Sequence, residues 1–186
     1  MNEFFVSTGV VALAEIGDKT QLLALVLAAR FRKTWPIVLG ILCATVVNHS
    51  LAGAVGALAA RLIDAGVLRW VLGLSFLAMA VWVLVPDRLG EEEAGALARH
   101  GVFGATFISF FLAEMGDKTQ IATVALAAQY SAPLLVVAGT TLGMLIADVP
   151  AVFVGGRLGE NLPVKAIRTV AALLFFVLGV AALLAV

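Results

Sequence analysis

The sequence predicts an all-α integral membrane protein, with six transmembrane helices built as two inverted three-helix repeats. Three observations predict it. Hydrophobic residues make up 62% of the 186 and charged residues only 13%, against about 25% charged in ordinary soluble domains; the mean hydropathy is +1.10. The second half repeats the first at a shift of 99 residues. The basic residues of the connections fall largely on one side of the expected spans.

A spanning helix needs about 20 mainly apolar residues. Charge is absent from Thr34 to Ala60, Trp70 to Pro86, Thr119 to Ala147 and Thr169 to Val186. Two further apolar stretches, Phe4 to Ala29 and His100 to Ala128, carry charge at their centres. Helices are therefore expected over 4–29, 36–60, 67–85, 102–128, 133–157 and 165–185. Residues 1–86 form the first unit, 87–101 a linker and 102–186 the second unit. Pro36 and Pro133 suit first helical turns. Trp35, Trp70 and Tyr130 fall near helix ends, where amphipathic rings favour the membrane interface. Met1-Asn2-Glu3 lacks the basic region of a signal peptide, so the first segment is expected to remain in the mature protein.

Eight basic residues lie in the 1–2, 3–4 and 5–6 connections: Arg30, Arg32, Lys33, Arg88, Arg99, Arg157, Lys165 and Arg168. The opposite side has Arg61 and Arg69. The bias toward basic cytoplasmic loops places both termini outside the cytoplasm. The linker with Glu91-Glu92-Glu93 is then a solvated cytoplasmic loop. The zero net charge leaves no basic surface for nucleic acid. Cys43, the single cysteine, excludes an internal disulfide and a cysteine-based zinc site, and is expected to be core.

The repeat is most exact at Leu13-Ala14-Glu15-Ile16-Gly17-Asp18-Lys19-Thr20-Gln21 and Leu112-Ala113-Glu114-Met115-Gly116-Asp117-Lys118-Thr119-Gln120. Eleven of seventeen positions agree between 13–29 and 112–128, and the same shift pairs Gly40 with Gly139, Gly56 with Gly155, Arg69 with Arg168 and Phe76 with Phe175. A unit of three spans reverses the membrane orientation of its second copy, the design of many transporters, with a site at the repeat interface near the midplane.

Glu15, Asp18, Lys19, Glu114, Asp117 and Lys118 sit mid-span, and Asp148 adds a seventh charge. Facing lipid, they would cost about 3 kcal/mol each, roughly 20 kcal/mol together. They must face one another, water or an ion. On a continuous helix, Glu15, Asp18 and Lys19 cover one sector about 100° wide. Gly17 and Gly116 allow close approach or local unwinding. Four carboxylates against two ammonium groups leave two negative charges, matched by one divalent cation or two protons. Oxygen ligands suit Ca²⁺, Mg²⁺ or Mn²⁺, and protons competing for the same oxygens give a route to antiport. Thr20, Thr119, Gln21 and Gln120 are further oxygen donors, with Asn48 in helix two. The competing structural reading makes Glu15–Lys19 and Glu114–Lys118 plain i,i+4 ion pairs, which leaves Asp18 and Asp117 without a partner on their own helices.

Asp148 precedes Val149-Pro150, where proline should kink the helix and free a carbonyl. It reads as a peripheral ligand, a proton relay, or a structural partner for a Lys or His. His49 reads as a packed or hydrogen-bonded histidine; as a ligand it would favour Mn²⁺.

The two Glu-x-Gly-Asp-Lys-Thr segments, Glu15 to Thr20 and Glu114 to Thr119, resemble the signature of the Golgi calcium/manganese–proton antiporter family, long catalogued as an uncharacterised protein family. The resemblance covers about residues 3–186. It implies that the acidic residues of both motifs bind the cation, with protons as counter-ion and no resident cofactor. It also implies kinship with compact bacterial Mn²⁺ exporters of the inner membrane. The long N-terminal extension and long central loop of eukaryotic members are absent, so organelle targeting does not carry over.

The leading expectation is Mn²⁺ export by Mn²⁺/H⁺ antiport, with Ca²⁺/H⁺ exchange close behind. A passive cation channel and an amino-acid exporter are further readings. An intramembrane enzyme is disfavoured: no H-E-x-x-H occurs, and Ser50 beside His49 points about 100° away from it on a helix. Asp18→Asn or Asp117→Asn is expected to abolish transport with little loss of folding.

Overall fold

The structure, a computed structural model, describes residues 2–85, 101–154 and 164–184. These form α1 (Asn2–Glu15), α2 (Lys19–Phe31), α3 (Thr34–Leu62), α4 (Ala65–Trp82), α5 (Gly101–Glu114), α6 (Lys118–Gln129), α7 (Pro133–Val154) and α8 (Val164–Leu184). No strand occurs among the described residues. The linker with Arg88, the three glutamates and Arg99, together with Gly155 and Arg157, lies outside them.

Four expected helices stand within a few residues of their predicted bounds: α3, α4, α7 and α8. The helices expected over 4–29 and 102–128 are each broken in two, α1/α2 and α5/α6. The cause is local. Gly17 (φ 80°) and Gly116 (φ 76°) adopt the left-handed conformation, which costs other residues about 1–2 kcal/mol. A Cβ on Gly116 would meet nothing within 4 Å, so its backbone angle, not space, calls for glycine. Asp18 (φ −90°, ψ 173°) and Asp117 (φ −80°, ψ 167°) then start the next helix as extended N-cap residues. The 100° sector therefore does not exist as such, because the three charged residues of each motif straddle a break.

Large apolar side chains cover much of the surface, and the interior holds charged and polar groups within its apolar packing. Trp35, Leu62, Val81, Leu134, Phe176 and Leu184 are exposed. Glu15, Asp18, Asn48, His49, Glu114, Asp117, Lys118 and Asp148 are buried. Water would drive the reverse distribution; lipid favours this one. Three helices, Thr34–Leu62, Ala65–Trp82 and Pro133–Phe153, are each long and apolar enough to cross a membrane.

Packing exchanges the two halves. α3 lies against α5 and α6, and α7 against α1 and α2. The exchange is detailed. A Cβ on Gly40 would lie 2.7 Å from the Thr106 Cβ and 3.1 Å from the Phe103 carbonyl oxygen. A Cβ on Gly139 would lie 3.1 Å from the Ser7 Cβ and 2.5 Å from the Phe4 carbonyl oxygen. Each of these residues has its counterpart 99 positions away.

Direction follows from successive contacts. Gly139 meets Phe4 and Ser7, and Gly143 meets Thr8 and Ala12, so α7 runs parallel to α1. By the same test α3 runs parallel to α5: Gly40 meets Phe103 and Thr106, and Asn48 reaches Phe111. α4 and α8 cross antiparallel, Gly73 meeting Leu183 and Gly179 while Leu77 meets Gly179. Phe76 and Phe175, themselves 99 residues apart, stack at 6.4 Å between these two helices. Two apolar clusters fill the body: one around Phe76, Met79, Leu126 and Phe175, the other around Leu27, Ile37, Ile41 and Phe110.

Candidate functional site

The two broken helices bring their motifs together in the interior. Glu15 ends α1 and Glu114 ends α5, so each carboxylate stands at a helix C-terminus. Asp18 and Asp117 cap the N-termini of α2 and α6, where the partial positive charge of the helix end favours a carboxylate. Each break is closed by its glutamine. Gln21 Oε1 accepts from the Gly17 N–H at 2.9 Å, and Gln120 Oε1 accepts from the Gly116 N–H at 2.7 Å. The other ends of these amides reach the partner half. Gln21 Nε2 donates to the Ala147 carbonyl at 2.9 Å, and Gln120 Nε2 donates to Asn48 Oδ1 at 3.5 Å. Asn48 in turn donates to the Phe111 carbonyl at 3.1 Å. The glutamines and Asn48, expected as spare oxygen donors, thus brace the breaks.

The ion pairs run between halves, not along one helix. Lys118 Nζ lies 2.7 Å from Asp18 Oδ1, and Lys19 Nζ lies 3.4 Å from Asp117 Oδ2. The i,i+4 pairs of the structural reading, Glu15–Lys19 and Glu114–Lys118, are not among the ion pairs of the described residues. Each lysine follows an N-cap aspartate and begins a new helix beyond the break.

The copies differ in detail. Both oxygens of Glu15 lack a hydrogen-bond partner, whereas Glu114 Oε1 accepts from the Thr119 hydroxyl. Asp117 also accepts from the Lys118 backbone N–H at 2.8 Å; Asp18 makes no such side-chain cap. The Thr20 hydroxyl has no hydrogen-bond partner. Glu15 and Glu114 lie within Coulombic reach of each other and of Asp18, Asp117 and Asp148.

Asp148 is fully buried on α7 with neither oxygen hydrogen-bonded, so of its three readings the structural Lys or His partner is not seen as a hydrogen bond. α7 continues as helix through Pro150. His49 is likewise fully buried and packed, with neither ring nitrogen hydrogen-bonded. It occupies on α3 the position that Asp148 occupies on α7. Thr45, also buried with its hydroxyl unpartnered, was not singled out from the sequence. Its place one turn before His49 was the available signal. Among the described residues no group of three or more His, Cys, Asp and Glu side chains stands close enough to hold a metal ion. Asp18 and Asp117 go instead to lysines and Glu114 to a threonine, while Glu15 and Asp148 accept no hydrogen bond.

The family described as "Divalent cation/proton antiporter GDT1" matches residues 3–91 and 102–186. A "Putative manganese exporter" of Vibrio cholerae is 50% identical over 97% of this chain and 90% of its own. A "GDT1-like protein sll0615" of Synechocystis is 33% identical over 91% of each chain. "GDT1-like protein 4" of rice is 32% identical over 92% of this chain and 69% of its own. No solved structure matches the chain.

Proposed function

The chain belongs to the GDT1 family of divalent cation/proton antiporters, and from that premise we propose that it exports Mn²⁺ from the cytoplasm across the inner membrane in exchange for protons. The cation ligands are Glu15, Asp18, Glu114 and Asp117, with Asp148 at the periphery and Lys19 and Lys118 as coupling groups. The family is one of transporters, not enzymes. The resemblance noted from the two Glu-x-Gly-Asp-Lys-Thr motifs is thereby borne out at the level of the family.

One observation carries the site: the reciprocal pairing of Asp18 with Lys118 and of Asp117 with Lys19. A buried aspartate paired with a lysine of the other half binds the halves where charge is most costly to strand. A divalent ion offers those carboxylates a stronger counter-charge, and protons offer a second, so the same oxygens serve both transported species.

The reading includes membrane topology. Residues 1–86 and 102–186 act as two inverted three-helix halves, with both termini outside the cytoplasm and the 87–101 linker inside. The antiparallel crossing of α4 with α8 supports inversion, since these helices are counterparts in the repeat. Exchange of conformation between two such halves gives alternating access.

Flux in proteoliposomes tests this. Mn²⁺ moving uphill against its gradient, with protons moving oppositely, is the expected result. Downhill flux that ignores pH would replace the antiporter with a channel. Preference for Ca²⁺ under the same gradient would change the substrate, and no flux of either ion would refute the cation reading.

A further inference from the structure

We propose that the lysine of each motif is a tethered counter-cation for the other half's aspartate, displaced when a divalent ion binds, and that the two lysine–aspartate pairs open alternately. This rests on the cation-transport reading and deepens it.

Lys19 and Lys118 are counterparts at 99 residues, as are Asp18 and Asp117. Strict symmetry would make the two pairs identical, and they are not. The Lys118–Asp18 pair is tight at 2.7 Å, with side chains 2% and 0% exposed. The Lys19–Asp117 pair is looser at 3.4 Å, with Lys19 27% exposed. The backbone follows suit: Met115 and Gly116 beside Asp117 are exposed, whereas Ile16 and Gly17 beside Asp18 are only half-buried. An ammonium group opening onto lipid is strongly disfavoured, so the opening at Lys19 is an aqueous one. Both aspartates are buried, and the Lys19–Asp117 pair is the one that reaches the surface, through its lysine.

The motifs have the same acidic and basic residues, so the mirror arrangement, tight at Asp117 and open at Asp18, has the same chemistry. Passing from one to the other alternates access without leaving either aspartate uncompensated. An ammonium on a side chain cannot diffuse away. It withdraws when two positive charges arrive and returns when they leave.

The sign of one effect decides the matter. Removing a competitor tightens ligand binding, because the binding-competent fraction rises. Removing a merely structural partner loosens it. Mn²⁺ binding should be measured on the purified full chain for the wild type and for Lys118→Gln, Lys19→Gln and Lys118→Arg. Lys118→Gln should bind Mn²⁺ about tenfold more tightly and export it more slowly, with Lys19→Gln shifted the same way by less. Lys118→Arg, which keeps the charge, should not tighten Mn²⁺ binding as Lys118→Gln does. Unchanged or weaker binding by folded Lys118→Gln overturns the proposal, and leaves the transport reading standing if the wild type still binds. A wild type that binds neither Mn²⁺ nor Ca²⁺ overturns both.

Should Lys118→Gln fail to fold, acylation of the native lysines in the metal-free wild type, read by mass spectrometry, decides instead. Lys19 should react faster than Lys118, and equal or reversed rates overturn the proposal.

Discussion

The two copies of the motif share Glu, Gly, Asp, Lys, Thr and Gln, yet they are not equally satisfied. In the first, Asp18 is locked to a buried ammonium while Glu15 and Thr20 have no hydrogen-bond partner. In the second, Thr119 bonds Glu114, Asp117 accepts from a backbone N–H, and the lysine opposite is partly exposed. Identical local sequence thus supports two different polar arrangements. What selects between them is the partner half, since both lysine–aspartate pairs and both outer glutamine bonds cross from one half to the other. The difference is that expected between two ends of one path when only one end is open.

The largest test of this comparison is functional. Asp18→Asn and Asp117→Asn should each abolish Mn²⁺ flux in proteoliposomes; normal flux from either variant would mean that one copy is dispensable. The same variants should separate in stability, where the sequence alone expected little loss from both. Asp18→Asn strands a buried ammonium, at a cost of about 3–5 kcal/mol. Asp117→Asn releases a partly exposed one, at about 1 kcal/mol or less. Thermal unfolding of the two in one detergent checks this, and equal melting temperatures would erase the asymmetry.

Smaller effects sharpen the packing side. Gly40→Ala and Gly139→Ala place a methyl against Thr106 and against the Phe4 carbonyl, so each should cost about 1–3 kcal/mol. Similar losses in the two melts would support the exchange of halves; a neutral Gly40→Ala would argue against the close approach. Smallest of all, Thr119→Ala should lower stability by about 0.5–1.5 kcal/mol, the net worth of a hydrogen bond. Thr20→Ala, with no bond to lose, should be close to neutral.

Much of this was legible before the fold. The 99-residue shift found the counterpart pairs, down to Phe76 with Phe175, because packing contacts follow sequence when a unit is duplicated. The length of apolar stretches and charge placement found four of the six expected helices within a few residues. The breaks were only half visible: glycine at 17 and 116 permits unwinding or close packing alike, and spacing cannot choose between them. A single 100° sector needs a continuous helix at those points, and the positive φ values rule that out. The cross-pairing of Lys19 and Lys118 was out of reach for a different reason. Motif spacing fixes what is near along one helix, whereas the partners of these ammonium groups lie about a hundred residues away and are set by how the two halves meet. Asp148 and His49 show the same limit. Their burial follows from apolar neighbours, but their missing hydrogen-bond partners are facts of tertiary packing.

The reciprocal pairs also bear on biogenesis. A chain made from its N-terminus delivers Asp18 to the membrane long before Lys118 has been synthesised. Until then the first half holds carboxylates with only Lys19 to offset them, and Lys19 is destined for a residue not yet made. The early half is thus an electrically unfinished intermediate, held open to water, chaperoning contacts or quality control. Arrival of α6 completes it, so a helix of the second half is what licenses the first half to close.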